Sequence, residues 1–385
     1  MESVSVLEKT VYLDNSSTTK PCGACISQIN EALSNDWGNP SSLHLLGFDA
    51  EKRMRFVREG IAKLLHTAPD EIYFTGSGTE GNNTAILGAA NARKKRGNRI
   101  VTTAVEHPSV LEPMRVLENE GFEVVYLKPD RSGSISKEQI FDAVNEKTVL
   151  VSIMLVNNET GAIMPVEAAR AAVKQCGAPA LIHCDAVQAF GKMPIDVAKL
   201  GIDMLTVSAH KIHGAKGIGA LYIKKGTTIK PLILGGGQEK GMRSGTESVP
   251  LICGFGGAIG ELGNVNENLK QIKALWQECR DTLTETGLVT VNSPENGLPF
   301  ILNVSVSGYR SETLLHFLEA RGIYVSSGSA CAKGNGSYVL REMGLDRLLV
   351  DSALRISFSR YNTTEDIIRL RDALVEATTK IRRSN

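Results

Sequence analysis

An α/β protein is predicted: a large domain with a mostly parallel sheet covered by helices on both faces, followed by a smaller α+β domain. Three observations predict it. Short apolar runs alternate with helical stretches from about residue 70 to residue 225. Those runs are apolar at consecutive positions rather than at every second one, as in strands buried on both faces. After about residue 260 the rhythm gives way to a long charged amphipathic stretch and a different order of elements.

Taken in order, strands are expected at Glu71–Thr75, Arg99–Thr103, Val124–Leu127, Val149–Met154, Ala180–Cys184, Met204–Ser208 and Ala220–Ile223. Helical patterns lie between them at Asn82–Arg96, Val110–Asn119, Lys137–Val144 and Val166–Cys176. Beyond these come an amphipathic helix over Glu261–Thr286, strands at Phe300–Val306 and Ala353–Phe358, and helices at Ser311–Arg321 and Thr364–Ile381. The large domain is therefore expected over residues 11–260 and the small one over 261–385, with residues 1–10 able to pack on the latter.

Charge and composition exclude several classes. With 43 Lys+Arg against 42 Asp+Glu the net charge is +1, which lacks the basic surplus of a general nucleic-acid or anionic-membrane binder. The longest run without a charged residue is 14 residues, Asn296 to Tyr309, and it contains Gly and Pro. A membrane-spanning helix needs about 20 apolar residues. The first residues lack the basic-then-apolar order of a secretion signal, and seven cysteines are few and odd in number. Free thiols in a reducing cytoplasm are expected.

Four motifs fall at the predicted strand ends, where open α/β sheets bind their ligands. Thr75-Gly-Ser-Gly-Thr-Glu-Gly-Asn-Asn83 lies between a strand and a helix. Its glycines permit a tight turn, and the helix start offers free N–H groups to a phosphate. Gly76, Gly78 and Gly81 also spell Gly-x-Gly-x-x-Gly, and Glu106 stands roughly where a dinucleotide site needs its ribose acid, so a nicotinamide-dependent dehydrogenase is one reading. His183-Cys-Asp-Ala-Val-Gln188 and Ser208-Ala-His-Lys211 place a carboxylate and, 26 residues later, a lysine at two strand ends. Pyridoxal phosphate needs that pair: a lysine for its Schiff base and an acid at its ring nitrogen. Ser326-Ser-Gly-Ser-Ala-Cys-Ala-Lys-Gly334 sets Cys331 in a Gly/Ser loop beside Lys333, a setting that favours the thiolate nucleophile.

With these motifs in place the chain resembles the cysteine desulfurases, fold-type-I pyridoxal-phosphate enzymes of the class V aminotransferase group. The resemblance extends from Tyr12-Leu-Asp-Asn15 to about Tyr361 and includes Gly38-Asn-Pro-Ser-Ser42, Glu106-His-Pro108, Asn157-Asn-Glu159, Gly235-Gly-Gly-Gln238 and Arg243-Ser-Gly-Thr246. It implies pyridoxal 5'-phosphate bound as a Schiff base on Lys211, His107 stacked on its ring, Asp185 at the ring nitrogen and Gln188 at the ring hydroxyl. Gly78, Thr79, Ser208 and His210 would hold the phosphate, and Thr246 would reach the phosphate site of a partner subunit, which implies a homodimer. Asn158 and Arg355, with Asn39, would receive the carboxylate of L-cysteine. Cys331 would take the substrate sulfur as a persulfide and pass it to an acceptor protein for iron–sulfur cluster assembly or thiolation, leaving L-alanine. A selenocysteine lyase or a plain aminotransferase shares the cofactor.

The sequence departs from the family pattern in three places. Asp14-Asn-Ser-Ser-Thr-Thr19 has serines where alanine is usual, and Ser359 stands where glycine is common. Only five residues separate Cys331 from Ser337, a shorter loop than in the housekeeping iron–sulfur branch. Cys22-Gly-Ala-Cys25 has no second pair of ligands at metal-binding spacing and reads as two small residues on the first turn of a helix; no metal is expected. Cys176, Cys184, Cys253 and Cys279 read as packing residues.

Overall fold

The strands at the centre of the chain are buried on both faces. In the computed structural model, which describes residues 10–327 and 336–383, they form one seven-stranded sheet. After β1 (Val11–Tyr12), its strands are β2 (Ile72–Thr75), β3 (Arg99–Thr103), β4 (Glu123–Leu127), β5 (Thr148–Ser152), β6 (Leu181–Asp185), β7 (Met204–Ser208) and β8 (Gly219–Ile223), in the order β2-β8-β7-β6-β5-β3-β4. Every residue of β5, β6, β7 and β8 is buried. The two faces are packed separately. Ile100, Leu150, Leu181 and Met204 join the helices Gly78–Arg93 and Pro108–Asn119 in one apolar layer. Their neighbours Val101, Val151, Ile182 and Leu205 belong to the larger core on the other face. The sheet is parallel except at β8, which runs antiparallel to both β7 and β2. Residues 209–218 between β7 and β8 hold only the 3₁₀ turn Ala209–Lys211. That is too short a link for a parallel crossover, which needs a dozen or more residues, so the chain returns antiparallel.

The C-terminal part contributes a three-stranded antiparallel sheet of β9 (Val289–Val291), β10 (Ile301–Val306) and β12 (Ala353–Ser357), in the order β12-β10-β9. The helices Val265–Glu285 and Thr364–Lys380 pack on each other beside it, and Trp276 donates its indole N–H to the Ile301 carbonyl at 2.9 Å. The start of the described chain is drawn to this end. β1 pairs in parallel with β11 (Ile323–Tyr324), and Asp14 bridges to Ser357. Among the described residues no helix is long and apolar enough to cross a membrane.

Expected and observed elements differ at informative places. The helix expected from Asn82 begins at Gly78, because Ser77 caps it by accepting the Glu80 N–H at 3.1 Å. Three long helices have no counterpart in the apolar pattern, Gly23–Asn35, Leu45–Leu65 and Val249–Gly260, and neither do the short ones Val197–Leu200, Tyr338–Glu342 and Arg347–Asp351. Val249–Gly260 contains Gly254, Gly256 and Gly257, which oppose helix formation locally. Their purpose is space. A Cβ on Gly257 would stand 2.5 Å from the Ala24 carbonyl oxygen, and one on Gly256 would stand 2.6 Å from the Val57 side chain. Cys22 caps the helix Gly23–Asn35, with its Sγ accepting the Cys25 N–H at 3.4 Å, so both cysteines do sit at a helix start. Burial pushes both thiols up, Cys25 to about 11, and leaves them unreactive.

Gly257→Val is expected to destabilise the fold by about 1–3 kcal/mol, as overpacking of a core does, and to lower the denaturation midpoint by chemical unfolding. An unchanged midpoint would show that the three helices are packed more loosely than the structure has them.

Candidate active site

Five strands of the large sheet, β2, β3, β5, β6 and β7, deliver residues to one cleft of about 920 Å³ at their carboxyl ends. Asp185 is the last residue of β6, Ser208 the last of β7, and Lys211 closes the turn that follows. His107 follows β3, and Gly78 and Thr79 open the helix after β2. All of these line the cleft, together with Asn158, Gln188, His210 and Arg355.

At one end, Gly78 and Thr79 occupy the first helical turn, where backbone N–H groups have no intrahelical partner. A Cβ on Gly78 would stand 2.9 Å from Val187 and 3.5 Å from Ser208, so glycine keeps this end open. His210 Nδ1 lies 3.2 Å from the Thr18 hydroxyl, and burial depresses its pKa to about 3, which keeps the ring neutral. In the middle of the cleft, Asp185 accepts the Asn82 amide N–H at 2.7 Å and the Val187 N–H at 2.9 Å. Asn82 also donates to Ser109 Oγ at 2.8 Å. That hydroxyl is 2.8 Å from His107 Nδ1, which accepts the Ser109 N–H at 3.1 Å. With Nδ1 an acceptor and the pKa lowered by burial, His107 is neutral and carries its proton on Nε2.

Lys211 donates to the Ser17 carbonyl at 2.8 Å and to that of Ser16. Burial, helped by Arg355, lowers its pKa to about 8, against the opposing pull of Asp14 and Asp185. At the far end Arg355 is a buried residue, not the surface ion pair that its type alone would suggest. Its Nη2 donates to Asp14 at 2.9 Å and to Ser17 Oγ at 2.6 Å, and its Nη1 to the Asn158 carbonyl at 3.0 Å. Four buried polar atoms of cleft residues have no partner among the described residues: Ser16 Oγ, Asn82 Oδ1, Asn158 Oδ1 and Arg355 Nε. Buried polar atoms are normally paired, so such a cluster fits a polar ligand.

Other expected residues lie elsewhere. Asn39 and Thr246 are exposed and do not line the cleft, and Asn39 Oδ1 accepts the Ser41 N–H at 2.9 Å. Cys331 and Lys333 lie outside the described residues. Ser326, five positions before Cys331, pairs with Arg355 backbone to backbone. Ser337, after it, donates its hydroxyl to the buried Glu159. Glu106 does not serve as a ribose acid. It is wholly buried, its Oε1 accepts the Met154 N–H at 2.8 Å and the Thr103 hydroxyl at 2.9 Å, and burial pushes its pKa up to about 8. Sequence reading missed Asn82, Ser16 and Ser17. Asn82 closes the Gly-rich motif, and the serines stand where the family pattern was seen to change.

The comparisons define first a class. The chain matches the Aminotransferase class-V family over residues 11–370 and belongs to it. Within that class its relatives are narrower in kind. It is 39% identical over 388 residues to a protein of Methanosarcina thermophila named cysteine desulfurase IscS, covering 99% of this chain and 95% of that one. It is 41% identical over 381 residues to a cysteine desulfurase of Nostoc sp., covering 97% and 94%. Among solved structures, a NifS-like protein superposes with a TM-score of 0.92 at 38% identity, covering 97% of this chain and all of that one. A second structure, of SspA in complex with cysteine, superposes with a TM-score of 0.82 at 34% identity, covering 92% of this chain and 100% of that chain. The chain is a member of the cysteine desulfurase family, whose cofactor is pyridoxal 5'-phosphate. The cleft fits that group: an N–H-bearing helix start kept open by Gly78, a carboxylate at a strand end, a lysine of lowered pKa and unpartnered polar atoms around them.

In the cofactor-free protein, reductive methylation of Lys211 is expected to titrate near pH 8, below an ordinary lysine at about 10.4. Arg355→Met removes a cation that holds this value down and should raise the midpoint, by the sign of the interaction. A midpoint that stays in place, or falls, would remove Arg355 as a cause.

Proposed function

We propose that the protein is a cysteine desulfurase: it takes the sulfur of L-cysteine onto Cys331 as a persulfide and releases L-alanine. The observation that carries the reading is the meeting, in one cleft, of a helix start open to phosphate, Asp185, Lys211 of depressed pKa and the buried Arg355. Bound there, pyridoxal phosphate supplies an electron sink for bond cleavage at the substrate's α-carbon. Gly78, Thr79, Ser208 and His210 would hold its phosphate, Asp185 would hold a proton at the ring nitrogen, Gln188 would donate to the ring oxygen and neutral His107 would lie against the ring. Lys211 would hold the group covalently, and its free amine could take up and return a proton at the substrate carbons. Arg355 binds the substrate carboxylate through its planar fork, with Asn158 beside it. The Cys331 thiolate then attacks the substrate sulfur, the carbon–sulfur bond breaks, and the carbon takes up a proton to become alanine.

The same reading extends to assembly and pathway. Leu43, Leu45, Phe48 and Leu234 expose large apolar surface, the kind that a second subunit covers. In a homodimer the exposed Thr246 and Asn39 can serve the partner's cleft. The persulfide passes to an acceptor protein, for iron–sulfur cluster or thio-cofactor synthesis. Sparse free cysteines and near-zero net charge support a cytoplasmic enzyme with neither nucleic acid nor membrane as a partner.

Cys331→Ser should keep the cofactor's visible spectrum and its response to cysteine, while alanine and sulfide production fall by orders of magnitude. Mass spectrometry of the native protein after brief exposure to cysteine should find one added sulfur on the Cys331 peptide. Normal sulfide release from the serine variant would instead indicate a lyase that needs no cysteine carrier. Arg355→Lys, which loses the two-point grip on a carboxylate, is expected to raise the KM for cysteine about 10- to 150-fold, with the cofactor still bound. An unchanged KM would move the carboxylate site elsewhere.

A further inference from the structure

The cleft has a second lysine behind it. Lys192 is 5% exposed and does not line the cleft. The helical turn after β6, where the Phe190 N–H bonds the Ala186 carbonyl and the Lys192 N–H that of Ala189, places residues 188 and 192 on one face. Lys192 Nζ donates to Gln188 Oε1 at 3.1 Å. Gln188 Nε2 donates to the Ser16 carbonyl at 2.9 Å, the same carbonyl that accepts from Lys211 Nζ. A continuous chain of hydrogen bonds therefore joins the two lysines: Lys192 to Gln188, Gln188 to Ser16, and Ser16 to Lys211. The Phe300 ring, with its centroid 5.7 Å from Lys192 Nζ, supplies the apolar surroundings.

A buried lysine is costly unless it does something that an apolar side chain cannot. This one is a donor set against an amide oxygen, and that determines which way the amide faces. A carbonyl accepts only, so the atom opposite Ser16 must be Nε2, which turns Oε1 towards the Lys192 amine, its donor. One N–H of Gln188 is used on Ser16. The second remains for an oxygen in the cleft, which Gln188 lines.

We propose that Lys192 is a positioning residue: by holding Gln188 Oε1 it fixes Gln188 as an N–H donor to the ring oxygen of the cofactor. The inference rests on the reading of Gln188 and Lys211 as cofactor residues. Without Lys192 the Gln188 Oε1 loses this donor, and only the Ser16 carbonyl is left to hold the amide. The depressed pKa of Lys192, about 7, follows from burial and from the charges of Lys211 and Arg355, and it places all three groups in one electrostatic unit.

The test uses the holoenzyme. Lys192→Met is expected to weaken cofactor binding about tenfold and to displace the visible absorption maximum of the bound cofactor. Lys192→Gln keeps a donor to Oε1 and should retain both native values. In a Gln188→Ala background Lys192→Met should add nothing further, because the two residues act as one unit. A Lys192→Met protein with native affinity and spectrum, or effects of the two substitutions that simply add, would overturn the proposal. If the methionine variant does not fold, Lys192→Gln decides: a native band supports the role and a displaced band overturns it. Borohydride reduction of the wild type separates the two readings. An unlabelled Lys211 there sinks the cofactor assignment itself, whereas a labelled Lys211 with a silent Lys192→Met sinks only the role of Lys192.

Discussion

The buried guanidinium of Arg355 joins parts of the chain that lie far apart in sequence. It sits on β12 of the small sheet, opposite Asn303 of β10. Its side chain bonds Asp14 and Ser17 near the start of the described chain and the Asn158 carbonyl after β5. Its backbone pairs with Ser326, where the segment leading to Cys331 begins. Four stretches of sequence thus converge on one residue. Arg355 is the buried member of its pair with the partly exposed Asp14, so loss of Asp14 would leave a buried charge short of its partner. The buried Nε, which has no partner among the described residues, is the donor that remains for a carboxylate.

Around that anchor the electrostatics is one of crowding. Burial depresses Lys211, Lys192 and His210, and neighbouring cations add to it: Arg355 beside Lys211, Lys211 and Arg355 beside Lys192, and Lys211 beside His210. Two of them are held near the point at which a lysine loses its proton, and the histidine is kept neutral. On the other side burial keeps Glu106 protonated well above the usual carboxylate range. A cavity poor in solvent and rich in nitrogen suits an anionic ligand: it supplies donors without leaving a net charge stranded inside the fold. The lowered pKa of Lys211 also has a chemical use, since only the free amine forms a bond to a carbonyl carbon.

Behind the cleft the sheet is sealed by two unlike layers. One face is covered by the helices after β2 and β3, whose starts carry cleft residues. The other is covered in part by helices that approach one another through glycine, where Gly254, Gly256 and Gly257 meet Ile29, Val57 and Ala24. The first layer positions the chemistry, and the second supplies the close packing that holds the strand ends in place.

How much of this was written locally can be judged residue by residue. β3 and β7 match their expected bounds, and the other strands of the large sheet shift by one or two residues, because a strand buried on both faces leaves a continuous apolar run. Asp185, Lys211, His107 and Gly78 were legible for the same reason: each follows directly from a strand, and a parallel sheet brings all such ends to one edge. The helix Val249–Gly260 was not legible, since its glycines oppose helix formation locally and are explained only by the backbones packed against them. Nor were β1 and β11, two residues each and too short to carry a periodicity. The contacts of Asp14 and Ser17 with Arg355, across 341 and 338 positions, and the bond from Gln188 to Ser16 exist only once two sheets are in place. The sequence by itself determined which strands form and what chemistry stands at their ends, because those depend on neighbours a few residues away. The tertiary structure alone decided which charges face one another and which protons they keep, because burial and pairing are properties of space shared by distant parts of the chain.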